Sequence, residues 1–309
     1  ILLIEPYYTG SHKKWAEGLK KHSSHHVKIL SMKGQFWKWR MHGGAVTLAK
    51  MFNNMDWKPD LILSTDMLDL TTFLALTRAK SNGIPTAIYF HENQISYPWS
   101  PRDRDILNKR DNHYGFINYA SALSAERVFF NSNFHLKTFL DDLKPFLKNF
   151  PDNNEIDTIE KIKNKSNVLH LGLDFSNFKA ISYQKTDTPT ILWNHRWEYD
   201  KNPELFFNVM KKIKDKKIDF NLIVLGESFG NFPKIFEQAK IEFGKHIIKW
   251  GYQKSINDYI NCLFLSDIIP VTSNHDFFGI SVMEAVFCNV WPILPDRLSY
   301  KELFKNKGY

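Results

Sequence analysis

The chain has 309 residues, 43% of them hydrophobic and 24% charged, enough to build two domains with separate cores. A formal net charge of +8 with 15% aromatic residues favours a polyanionic partner, RNA or an anionic lipid surface. No stretch reaches the roughly 18 consecutive apolar residues of a membrane span, and two cysteines in apolar settings, Cys262 and Cys288, exclude a disulfide framework and fit a reducing cytoplasm.

In chain order, short β-rich runs alternate with helical patterns. The runs are "ILLIE", "VKIL", "DLILST", "TAIYFH", "RVFFN" and "VLHLG", then "TILWNH", "FNLIVLGE", "HIIKWGY", "DIIPVTS" and "VWPILP". Their hydrophobicity is continuous rather than alternating, which predicts strands buried on both faces and hence parallel sheets covered by helices. Two doubly wound α/β domains follow. The polar stretch "SNFKAISYQKTDT" separates them, so the expected domains are 1–178 and 179–309. The start, "ILLIEPYYTGSHKKW", has apolar residues before basic ones, the reverse of a secretory signal. It lacks an initiator Met, and "KELFKNKGY" ends without a clear element; both point to a chain trimmed from a longer one, with the second domain cut short.

Ligands of open parallel sheets bind at the carboxyl ends of strands. After "TILW" come Asn194, His195, Arg196 and Lys201, then Pro203, suited to a first helical turn. Arg196 and Lys201 flank a loop entering a helix, the arrangement that clamps a pyrophosphate; ordinary solvated loop charges are the alternative. Gly226 follows the next strand and lets a ligand approach the backbone, and Tyr252, after Trp250 and Gly251, offers a ring to a flat base. In "NHDFFGISVMEAVFCNVWPILPD", Asp276, Phe277, Phe278 and Gly279 lead into a helix. The amides of Gly279, Ile280 and Ser281 form an anion site, while Asp276 is also a simple capping candidate. Glu284 stands alone in an apolar run, where an unpaired charge is costly, and capping does not explain it.

The spacing from Asp276 to Glu284 in "DFFGISVME" resembles the E-x7-E motif of glycosyltransferase family 4, with Asp in place of the first Glu. The resemblance implies a GT-B fold, two Rossmann-like domains facing a cleft. It implies that Glu284 holds a nucleotide ribose, that Asp276 lies near the donor sugar, and that Arg196 and Lys201 hold the pyrophosphate. The blocks "YYTGSHKKW", "KGQFWKWRM", "YFHENQISYPW", "FFNSNFHLKTFL" and "ILWNHRWEYDKNPE" are similar to the branch containing the tRNA-queuosine α-mannosyltransferases, across most of the chain. By that likeness the donor is GDP-mannose and the acceptor is the cyclopentenediol of queuosine in a tRNA anticodon.

In the amino-terminal half, Gly10 lies in a turn after the first strand, where its backbone and Ser11 can approach the donor phosphates. His91 ends a strand and, in related enzymes, a histidine here touches the donor sugar; a structural role is the alternative. Glu92, Asn93 and Gln94 offer hydrogen bonds to hydroxyls. Asp66 and Asp69 are candidate contacts to the acceptor diol, or helix caps. Trp37, Lys38, Trp39 and Arg40 mix charge and aromatic rings as RNA binding requires. Strand alternation would put the two tryptophans on one face, and a half-buried edge strand would read the same. Arg102, Arg104, Lys109 and Arg110 add positive charge, and the Asp103-Arg104-Asp105 triplet between basic flanks is not expected to bind metal.

An α-linked product from an α-linked donor implies retention. Without a well-placed carboxylate pair for a covalent intermediate, the expected route is front-face displacement with no metal. His91, Asp276, Arg196 and Lys201 are the expected catalytic set. The alternatives are a lipid or glycan acceptor, with the Trp and Lys segment docking on a membrane, and an RNA-binding relative without activity. No stable membrane association is expected.

Overall fold

The computed structural model describes residues 1–100, 112–179, 185–228 and 232–304. It divides into two compact units, Ile1–Leu173 and Asp174–Tyr309. Among the described residues no helix is long and apolar enough to cross a membrane.

The first unit runs β1 (Leu2–Tyr8), α1 (Gly10–His22), β2 (Lys28–Lys33), α2 (Trp37–Asn53), β3 (Ile62–Thr65), α3 (Leu70–Ser81), β4 (Thr86–Phe90), α4 (His113–Ser124), β5 (Arg127–Phe130), α5 (Asn133–Lys148), α6 (Thr158–Asn164) and β6 (Ser166–Val168). All pairings are parallel, in the order β2-β1-β3-β4-β5-β6. All five residues of β4 are buried, as expected for a strand covered on both faces. Leu2, Ile4, Phe52, Phe73, Ile88, Phe90, Phe130 and Phe139 form its core. Because β2 and β3 lie on opposite sides of β1, the strand order reverses there, and the carboxyl ends of β1 and β3 border a crevice.

The second unit runs β7 (Thr190–Asn194), a 3-10 turn (Tyr199–Lys201), α7 (Pro203–Asp215), β8 (Asn221–Leu225), α8 (Ile235–Glu242), β9 (Ile247–Gly251), α9 (Ile256–Leu265), β10 (Ile268–Pro270), α10 (Ile280–Phe287), β11 (Trp291–Ile293) and α11 (Tyr300–Leu303). Its order is β11-β10-β7-β8-β9, all parallel, which places the reversal between β7 and β10. Pro203 opens α7, and Asn202, at φ 53°, caps it by accepting from the Leu205 amide.

Two local expectations are corrected. The segment from Trp37 to Arg40 is the first turn of α2 and not a strand. Burial of Arg40, Met41, Gly44, Ala45, Leu48, Ala49 and Phe52 follows a helical period over the whole stretch, and it overrides a four-residue alternation. The two tryptophans consequently have different surroundings: Trp37 packs 5.2 Å from the Tyr114 ring, while Trp39 is 62% exposed. The run "VLHLG" contributes only Val168 to strand pairing, with one further bond from the Leu169 amide to the Phe130 carbonyl. Arg102, Arg104, Lys109, Arg110 and the Asp103-Arg104-Asp105 triplet lie outside the described residues.

Gly226, just past β8, has φ +136°, and a Cβ there would sit 1.9 Å from the His195 carbonyl oxygen. The two strand-end loops approach too closely for any side chain. Gly226→Ala is expected to lower unfolding free energy by more than about 2 kcal/mol, from clash and backbone strain together. Urea denaturation would show it; an unchanged midpoint would mean the loops relax freely.

Candidate active site

In the second unit, the chain reversal brings the loop after β7 against the loop between β10 and α10. The Lys201 side chain joins them. Its ammonium donates to the His275 carbonyl at 2.7 Å and lies 3.0 Å from Asp200 and 3.6 Å from Asp276. The Asp200 contact is coulombic, without hydrogen-bond direction. Thr272 Oγ1 donates to the carbonyls of Lys201 and Asn202, which clamps the turn in place.

Asp276 accepts from the Phe278 amide at 3.3 Å and from the Tyr300 hydroxyl at 3.2 Å. Burial alone would raise its pKa, but Lys201, His195 and these hydrogen bonds outweigh burial and hold it below the ordinary carboxylate value. His195 and His275 both fall to about 4, because burial penalises a charged ring and Lys201 repels it. Phe277 and Phe278 are buried beside them. Gly279 caps α10 at φ +86°, with Tyr300 where a side chain would go, and Ile280 and Ser281 open the helix. Arg196 is the exposed cation of the group, 3.6 Å from Glu198. Tyr252 is 66% exposed after β9.

Glu284 is buried in the second turn of α10. Tyr259 donates to it at 2.5 Å and accepts from Asn194 Nδ2 at 2.9 Å; the same amide donates to the Ser281 carbonyl at 3.1 Å. The Asn194 side chain therefore braces the site from within.

In the first unit, a second group gathers at the ends of β1, β3 and β4. Gly10, at φ +50°, begins α1 with exposed Ser11 beside it. His12 Nδ1 lies 3.0 Å from Glu5. Burial pushes the His12 imidazole down, but Glu5, Asp66 and Glu92 overcome this and lift its pKa to about 9. Asp66 accepts from the His91 amide at 2.8 Å, and burial, opposed by His12, pushes its pKa up to about 8. The His91 ring packs 4.4 Å from His12, 4.6 Å from Trp15 and 5.0 Å from Tyr89; burial and then His12 and His135 keep its pKa well below 6.5. Candidate ligand atoms of Glu5, His12 and His91 all lie within 4.8 Å of one another, a spacing a metal ion would accept, but Glu5 and His12 are already paired.

The other first-unit candidates are engaged locally. Asp69 caps α3 through the Thr72 amide at 2.9 Å and binds the hydroxyls of Thr71 and Thr72. Asn93 is fully buried and accepts from the amides of Ile95 and Ser96, forming a turn. The Gln94 amide nitrogen donates to Asn118, and its side chain donates to Glu92. Lys38 sits 5.4 to 5.8 Å from the rings of Trp37, Trp99 and Tyr114, and buried Arg40 donates to the Lys33 carbonyl.

Residues 1–173 match the family described as tRNA-queuosine alpha-mannosyltransferase N-terminal, and residues 174–308 match glycosyl transferases group 1. The chain belongs to the tRNA-queuosine α-mannosyltransferase family. A member from Drosophila melanogaster is 33% identical over 318 residues, covering 100% of this chain and 82% of the relative. The fold is GT-B. Among solved structures, a sucrose-phosphate synthase from Thermosynechococcus elongatus has TM-score 0.65 at 13% identity, covering 98% of this chain and 82% of that one. Anabaena HepE in complex with UDP and glucose has TM-score 0.58 at 15% identity, covering 97% and 74%. This family member is thus a glycosyltransferase, as the "DFFGISVME" and "FHENQ" blocks led one to expect.

Several participants were not legible beforehand. Tyr259 and Tyr300 reach Glu284 and Asp276 from 25 and 24 residues away, and no local pattern marks them. Asp200 precedes Lys201 directly, so an acidic-basic pair entering a helix was available as a signal. Glu5 lies inside an apolar strand, and that isolation was itself a signal.

Two predictions follow from burial. Removing one member of a buried charge group exposes the others to an uncompensated environment, so Lys201→Ala should cost about 3–5 kcal/mol of stability as well as activity. Denaturant unfolding would reveal a stability near wild type if that reasoning fails. The folded-state pKa of His195 and of His275 lies below the ordinary 6.5. The unfolded chain therefore binds protons that the folded one refuses, and stability present above pH 6.5 is lost as pH falls toward 4. His12 and Asp66, whose pKa values are raised, act in the opposite direction over this range, so the measure is the comparison: His195→Gln should lose less urea midpoint than wild type on going from pH 7.5 to pH 5, and an identical pH dependence in both would refute the assignment.

Proposed function

We propose that this chain transfers mannose from GDP-mannose to the cyclopentenediol of queuosine in a tRNA anticodon, with retention of the α configuration. The observation that carries the reading is the full-length likeness to the Drosophila relative, joined to the family match over the whole first unit. A reducing cytoplasm suits the enzyme, since Cys262 and Cys288 are buried free thiols.

In this proposal the acceptor hydroxyl attacks the anomeric carbon from the face the diphosphate leaves. The carbon–oxygen bond to phosphate breaks as the new glycosidic bond forms, and the departing phosphate oxygen takes the hydroxyl proton. Arg196, Lys201 and the amides at the start of α10 stabilise that phosphate. Lys201 can serve because its 3.6 Å contact with Asp276 is its loosest, and an incoming phosphate competes for it. Asp276, kept ionised by its surroundings, supports positive charge developing at the anomeric carbon. Glu284 accepts from the ribose hydroxyls. His91, kept neutral, hydrogen-bonds a hydroxyl of the sugar without adding charge. Asp66 and Glu92 are assigned to the acceptor diol. Lys38 and the ring of Trp39 are assigned to the anticodon loop.

Incubating queuosine-containing tRNA with a panel of labelled nucleotide sugars, followed by nucleoside mass analysis, tests the reading. A hexose gained on queuosine from GDP-mannose alone is expected. Transfer only to a lipid or glycan, or tRNA binding without transfer from any donor, would overturn it. Glu284→Ala should lower transfer by at least about tenfold, the loss of a charge-assisted hydrogen bond.

A further inference from the structure

We propose that Tyr259 is a positioning residue of the donor site, fixing the Glu284 carboxylate in the orientation that selects a ribose diol; this rests on the nucleotide-sugar reading above. The observation is a polar chain set into an otherwise apolar layer. Asn194 comes from the end of β7, Tyr259 from α9, and Ser281 and Glu284 from α10. These elements pack through Leu192, Leu263, Val282, Ala285 and Cys288, none of which needs a charged neighbour.

The links run in one direction. Asn194 Nδ2 donates to Tyr259 Oη at 2.9 Å and to the Ser281 carbonyl at 3.1 Å, and Tyr259 Oη donates to Glu284 Oε2 at 2.5 Å. With its lone pair engaged by the amide, the phenol has a single hydrogen to give, and it points at the carboxylate. Burial and the neighbouring Glu284 push the Tyr259 pKa well above 10, so the hydroxyl stays a donor at any working pH. A buried polar chain of this kind offers little stability over apolar packing, but it holds its members to one geometry.

A glutamate on a helix has three side-chain torsions, and a diol is met well only by a carboxylate held in one plane. Asn194 anchors the phenol to the strand beside the reversal point, so the orientation of Glu284 is set by the sheet rather than by its own helix. Tyr259 is predicted to contribute to donor binding and to recognition of the sugar hydroxyls, without touching the reacting atoms.

The test compares inhibition by GDP and by 2′,3′-dideoxy-GDP in wild type, Tyr259→Phe and Glu284→Ala. Phenylalanine keeps the ring and its packing, and thermal unfolding checks the fold. Wild type is expected to prefer GDP by at least about tenfold, and Tyr259→Phe to reduce that preference to within about threefold, the scale of one lost hydrogen bond to a charged group. Its donor KM should rise while kcat at saturating donor changes by less than about threefold, a split expected of uniform binding. Preference kept in Tyr259→Phe but lost in Glu284→Ala would overturn the positioning role alone. Preference kept in both variants would overturn the ribose reading, and the Tyr259 role with it.

Discussion

The carboxy-terminal unit turns on one buried cation. Lys201 is held among the His275 carbonyl, Asp200 and Asp276, and a charge taken out of water must be compensated in this way or it destabilises the fold. That requirement determines the surrounding backbone. Asn202 takes a left-handed conformation so that the turn can deliver Lys201 and still open α7, and Thr272 bonds both residues' carbonyls. The Asn274 amide binds the Asp200 carbonyl, completing the clamp. Two loops far apart in sequence become one rigid rim at the reversal of strand order.

Around that cation the site's electrostatics are arranged by exclusion. His195 and His275 stay neutral because they are buried and because Lys201 stands beside them, and Lys201 holds Asp276 ionised against the same burial. The Lys201 charge is thus offset by the carboxylates around it, and neither imidazole adds a second positive charge. The amino-terminal unit solves the converse problem. It buries Glu5 against His12, and the imidazole keeps its proton to balance that carboxylate, while burial pushes the Asp66 carboxyl up to about 8. His91, buried and next to that cation, is kept neutral. Each unit thus places a buried cation at its strand ends with neutral histidines beside it.

Much of this was legible from residue order. Unbroken apolar runs gave both parallel sheets, since strands covered on both faces have no polar side to show. Lys201 before Pro203, and Asp276 through Glu284, marked the loops that the fold brings together. The reading of Trp37 through Arg40 as a strand failed because four residues cannot reveal a period that needs three helical turns; the buried set from Arg40 to Phe52 decides it. "VLHLG" looked like a full strand because its apolar residues match one, yet its neighbour β5 pairs only as far as Phe130 and Val168.

The sequence by itself determined the class of fold, the loops at the strand ends and the charged residues they carry, because burial imposes a period on composition that can be read along the chain. Only the tertiary structure decided which of those charges pair, which histidines are neutral, and that Tyr259 and Tyr300 support Glu284 and Asp276. Pairing and desolvation depend on distances between residues that chain order does not encode. A phenol 25 positions away from a carboxylate becomes its hydrogen-bond donor only when α9 and α10 pack side by side.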